Sequence, residues 1–111
     1  MRKKRDVIEH GSTNVFADLG FADPEERKLK VQLAMRLNTL LEERGLSQSK
    51  VARLLGIPQP HVSDLVNYRL NRFSSERLLH LITLLDRDVE ILIRPKSAKH
   101  QPGVVSVFMT I

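Results

Sequence analysis

Apolar and polar positions follow no regular period over residues 1–22, and the pattern becomes periodic at Asp23. From Pro24 to about Arg44, Leu29, Leu33, Leu37, Leu40 and Leu41 recur at spacings of three and four, with Ala34 and Met35 widening the stripe. This period predicts one long amphipathic helix. Its start is marked by Asp23-Pro24-Glu25-Glu26: Asp23 caps, Pro24 suits the first helical position, and Glu26 can reach back in a capping box. Gly45 stops it. A short helix follows, capped by Ser47, with Val51, Ala52 and Leu55 on one face and Gly56 at its end. Ile57 plugs the corner and Pro58 blocks continuation. The next helix starts near Gln59, carries Pro60 in its first turn, and turns Val62, Leu65 and Val66 inward. Leu70 and Phe73 are expected to tuck the following loop into the core. Ser74 or Ser75 then caps a helix whose core face is Leu78, Leu81, Ile82 and Leu85.

At Asp88 the period changes to two. Val89, Ile91 and Ile93 alternate with Glu90, Leu92 and Arg94, which reads as a strand. After a polar connection holding Pro95 and Pro102, the run 104–111 places Val105, Val107, Met109 and Ile111 on one side. A C-terminal strand or hairpin is expected. Two strands alone are marginal in water, and pairing with a second copy would give four strands and close an open edge. Val89, Ile91, Ile93, Val105 and Val107 are therefore candidate dimer contacts, the alternative being a hairpin packed on its own helices. The expected fold is mainly α, a bundle of four to five helices closed by this β element. It divides into a largely irregular segment (1–22), a helical domain (23–87) and a dimerisation element (88–111).

The stretch QSKVARLLGIPQPHVSDLVN, from Gln48 to Asn67, has a small residue at the helix crossing, glycine at the turn and apolar residues on both sides of it. That is the pattern of a DNA-binding helix-turn-helix. An α-helix fits the major groove, where base edges present a readable set of donors and acceptors. Gln59 opens the candidate recognition helix, and its amide can pair with adenine N6 and N7. Ser63 lies one turn on, and His61 could reach a base or a phosphate. Gln48, Lys50, Asn67, Arg69 and Arg72 flank them as candidate phosphate contacts, positioning the helix without choosing sequence. Asp64 either accepts from cytosine N4 or holds a neighbouring arginine. The bland alternative is a helical corner that binds nothing; the polar outward face weighs against it.

Composition narrows the classes. The 111 residues carry a formal charge of +5 with a pI near 10.0, which suits a polyanionic partner. There is no cysteine, hence no disulfide and no thiolate metal site. The four histidines (His10, His61, His80 and His100) lack metal-ligand spacing, so no metal and no cofactor is expected. Ser63 and Asp64 sit side by side near His61 on one helix, which does not aim them as a triad, so no catalytic residue is assigned and an enzyme is disfavoured. One tyrosine and no aromatic platform argue against RNA. No apolar leader and no membrane-length run are present, so a cytoplasmic protein is expected. Two features stay open. Arg2-Lys3-Lys4-Arg5 is either a solvated start or an arm for phosphate. Val15, Phe16, Leu19 and Phe21 either pack on the chain's own helices or dock on a partner.

The segments NVFADLGF, LSQSKVARLLGIPQPHVSDL, FSSERLLHLITLL and DVEILIRPK together resemble the Xre/Cro-type regulators, and more closely the HigA-like antitoxins of type II toxin–antitoxin systems. The resemblance spans about residues 14–96. It implies a lambda-repressor-like bundle, a homodimer on operator DNA, and roles for Gln48, Gln59 and Asn67, which match the family's glutamines and the asparagine closing the recognition helix. A glycine often follows that asparagine; here Tyr68 does, so Asn67 or Tyr68 must make the turn. The resemblance further implies a RelE/HigB-like ribonuclease toxin as partner and repression of the protein's own operon; residues 15–21 and the first helix are the candidate docking surfaces for the toxin. A stand-alone Xre-family or phage-type repressor is the reading without a toxin. A third makes the chain chiefly a protein-interaction inhibitor of such a toxin, with DNA binding secondary.

Overall fold

The computed structural model describes residues 23–96 and 102–110, which form four helices: α1 (Asp23–Arg44), α2 (Gln48–Leu55), α3 (Gln59–Val66) and α4 (Ser75–Thr83). Leu33, Ala34, Leu37, Leu40 and Leu41 of α1 are all buried, and this stripe is the floor on which the rest packs. Leu78, Leu81 and Ile82 of α4 meet it, with Leu85 buried just past the helix end. Val51 and Leu55 of α2, Val62 and Leu65 of α3, and Leu70 and Phe73 of the α3–α4 loop complete one cluster. Met35 is an exception to the expected stripe: it is 47% exposed, facing away from the core that Ala34 joins.

The ends follow from local chemistry. The Ser47 hydroxyl accepts from the Lys50 N–H at 3.3 Å, and the Ser74 hydroxyl accepts from the Arg77 N–H at 3.0 Å, so each serine satisfies one orphan donor of its helix. Ser74, and not Ser75, is the cap; Ser75 is buried, its hydroxyl without a partner among the described residues.

The expected strand and hairpin are not formed among the described residues. For the run 104–110 the reason lies in α1. The Val107 N–H donates to Gln32 Oε1 at 2.9 Å, and the Val107 carbonyl accepts from Arg36 Nη2 at 3.1 Å. Side chains of a helix thus replace a neighbouring strand as partners. Val107 and Met109 are half-buried against the core cluster, while Val104, Ser106, Phe108 and Thr110 face outward. Val107 and Met109 keep the expected alternation, against the chain's own first helix, but Val105 is 66% exposed and Ile111 lies outside the described residues. Val107 is therefore held within its own chain and does not stand free as a dimer contact. Residues 1–22, with the basic cluster and the Val15–Phe21 apolar group, lie outside the described residues.

Candidate nucleic-acid interface

The α2–α3 pair is built around one backbone conformation. Gly56 takes φ 69° and ψ 34°, in the left-handed region. Its N–H and that of Ile57 both reach the Ala52 carbonyl, at 2.8 and 3.1 Å, closing α2. A Cβ at Gly56 would meet nothing within 4 Å, so the glycine is required by backbone angle and not by space. The chain leaves this bend through buried Ile57 and extended Pro58, and α3 begins at Gln59.

On α3, Val62 and Leu65 are 0% exposed and fix which side points inward. Gln59 is exposed, and Ser63, one turn later, is half-buried on the same side. Gln48 and Lys50 are exposed at the start of α2. His61 is placed differently. It falls roughly 200° round the helix from Gln59, is half-buried, and its Nδ1 is enclosed without a partner among the described residues. The structure does not bring His61 together with Gln59 and Ser63.

The C-terminal end of α3 makes a turn that normally favours glycine. Tyr68 has φ 58°, its N–H reaches the Leu65 carbonyl at 3.1 Å, and the Arg69 N–H reaches the Asp64 carbonyl at 2.8 Å. These are the two bonds of a Schellman cap, with Tyr68 where glycine is usual. Asn67, exposed, turns its Nδ2 back to the Ser63 carbonyl at 2.8 Å. Its amide nitrogen is thus engaged in closing the helix.

Asp64 gathers the arginines. Its two carboxylate oxygens accept from Arg69 Nε at 3.1 Å and from Arg72 Nε at 3.0 Å. Hydrogen bonds from Arg69 and then Arg72 hold the Asp64 carboxyl below its ordinary 3.8. Both arginines use only Nε in these contacts, which leaves their terminal amino groups for an anion. The sequence left Asp64 between two roles; the geometry gives it the second, as a clamp on two cations.

One residue of the site went unnoticed in the sequence. Asn38 is buried on α1, and its Nδ2 donates to the Leu65 carbonyl at 3.1 Å, tying the end of α3 to the long helix. The available signal was an amide beside Leu37 in a stripe of leucines. Among the described residues, no group of three or more His, Cys, Asp or Glu could hold a metal ion, and no helix is long and apolar enough to cross a membrane.

A family described as a helix-turn-helix domain matches residues 15–94. A solved structure named "Putative XRE Family Transcriptional Regulator" is 46% identical, with a TM-score of 0.76; the match covers 80% of this chain and 100% of that one. No curated protein matches. Neither the family nor the solved structure belongs to an enzyme class. With Gly56 bent between two short helices and a polar edge opposite Val62 and Leu65, the chain belongs to the XRE-type helix-turn-helix family.

Proposed function

We propose that this protein is a transcriptional regulator that binds a specific operator in double-stranded DNA as a homodimer. In this reading α3 enters the major groove, Gln59 and Ser63 meet base edges, and Gln48, Lys50, Arg69 and Arg72 take phosphates. Asn67 serves by closing α3, and His61 supports the helix from its inner side. The observation that carries the reading is the two-sidedness of α3: Val62 and Leu65 are wholly buried while Gln59 stands exposed at the helix start. The formal charge of +5 supplies the sequence-independent attraction. The test is selection from a random duplex library, followed by affinity measurements on the selected duplex. A consensus should emerge, and Gln59→Ala should cost roughly 1–3 kcal/mol there and relax one base position. Recovery of no consensus, or a loss equal on all sequences, would count against it.

The antitoxin role is a further part of the proposal. It is supported by the resemblance of residues 14–96 to HigA-like antitoxins and by Val31 and Met35, which α1 leaves exposed. That strip offers an apolar seat for a RelE/HigB-like toxin. Such a pair would copurify from the native host, and Met35→Glu should release the toxin while leaving affinity for the selected duplex intact. Purification without a partner would leave the repressor alone, as in a stand-alone Xre-family or phage-type regulator. The protein works, on either reading, in the cytoplasm.

A further inference from the structure

Beyond α4 the chain carries large apolar side chains into solvent. Ile91 is 70% exposed, and Leu92 and Ile93 are each 82% exposed. Among the described residues, the backbone groups of 88–95 make no backbone–backbone hydrogen bond, and Glu90 and Arg94 form no ion pair. A bare apolar edge of this kind invites pairing with another chain.

The order of charges says which chain. Asp88 and Glu90 precede Leu92; Arg94 and Lys96 follow it at the same spacings. When two copies run antiparallel with Leu92 facing Leu92, residue 90 meets residue 94 and residue 88 meets residue 96, on both sides of the axis. Every charge then faces its opposite. Centring the pair on Ile91 or Ile93 sets Glu90 or Arg94 against Leu92. Centring on Glu90 or Arg94 brings like charges together, as does a parallel pairing, and like charges directly opposite are destabilising. In the Leu92 register the odd-numbered face holds only Val89, Ile91, Ile93 and Pro95, an apolar strip that both copies share.

We propose that residues 88–96 of two copies pair antiparallel with Leu92 on the two-fold axis, setting Glu90 of each against Arg94 of the other. Val89, Ile91 and Ile93 are then dimer contacts. The other expected pair behaves differently: the Val107 N–H donates to Gln32 Oε1 of its own chain, and the Val105 carbonyl accepts from Gln32 Nε2 at 3.5 Å. This deepens the homodimer reading above, and its test needs no DNA, so it stands or falls apart from operator binding.

The chain has no cysteine, so Leu92→Cys supplies a lone thiol. On the axis, two such thiols lie within disulfide reach, and mild oxidation should convert the protein to a covalent dimer. Ile91→Cys faces Ile93 of the other copy and should cross-link roughly tenfold more slowly. Glu90→Arg and Arg94→Glu should each weaken the dimer by roughly tenfold in sedimentation equilibrium, and the double exchange should restore it. Circular dichroism of each variant checks that the helices are intact. Equal cross-linking at 91 and 92, or no rescue by the double exchange, overturns the register. A wild-type monomer at tens of micromolar, with the thiol introduced by Leu92→Cys left reduced, overturns the proposal.

Discussion

Two residues at the end of α3 carry more of the account than their exposure suggests. Tyr68 holds φ 58° at a position where a side chain costs about 1 kcal/mol or more, and nothing in its half-exposed setting demands an aromatic ring for the turn. Tyr68→Gly should raise stability by about 0.5–1 kcal/mol, read as a melting temperature a few degrees higher. A lower melting temperature would mean that the ring's contacts outweigh the backbone cost. Asp64 makes a prediction about pH and another about selectivity. Its carboxyl is lowered by Arg69 and Arg72, so the stability it contributes is present above the ordinary value of 3.8 and is lost as the pH falls through the lowered one. A carboxyl titration by NMR should place Asp64 below 3.8 and return it toward that value in Arg69→Ala/Arg72→Ala. Asp64→Asn should raise affinity for random-sequence DNA several-fold, because a negative charge leaves the face proposed to meet phosphate, and should narrow the margin over the selected duplex. A changed preference at one base pair, with random-sequence affinity unmoved, would instead make Asp64 a reader of cytosine.

At the scale of elements, helices were legible because three independent signals agreed: leucines three and four apart, serine caps at Ser47 and Ser74, and glycine stops at Gly45 and Gly56. The inner face of α3 followed from the same spacing. Its outer face was legible for Gln59 and Ser63, but His61 was placed among the readers on chemistry alone, although its angle around the helix already turned it inward. The C-terminal run shows a different boundary. Alternation told correctly that Val107 and Met109 lie on one face. It could not tell what would satisfy their backbone, because periodicity reports burial and not hydrogen-bond partners, and Gln32 and Arg36 sit 75 and 71 residues away along the chain. Asn38 was hidden for the same reason: its partner is a carbonyl on another helix. Asn38→Ala should cost about 1–3 kcal/mol in denaturant unfolding and speed amide exchange at Leu65 to Arg69. Unchanged exchange there would show that α3 keeps its place without this tie.

For the molecule as a whole, the design is a small helical body that presents one narrow polar edge. A core this size leaves little stability to spare, and a single copy offers few phosphate contacts. The proposed dimer would answer both needs, with the pairing at 88–96 holding the two copies of α3 together. The edge and the arm are separable: one can fail in experiment while the other stands. The claim on which the functional reading depends is that α3 lies in the wide groove of a duplex. Methylation protection on the selected duplex reads this directly, since dimethyl sulfate attacks guanine N7 in the major groove and adenine N3 in the minor groove. Two patches of protected guanine N7 about one helical turn apart, with adenine N3 still reactive, are the predicted result. Protected adenine N3 beside reactive guanine N7 would contradict it.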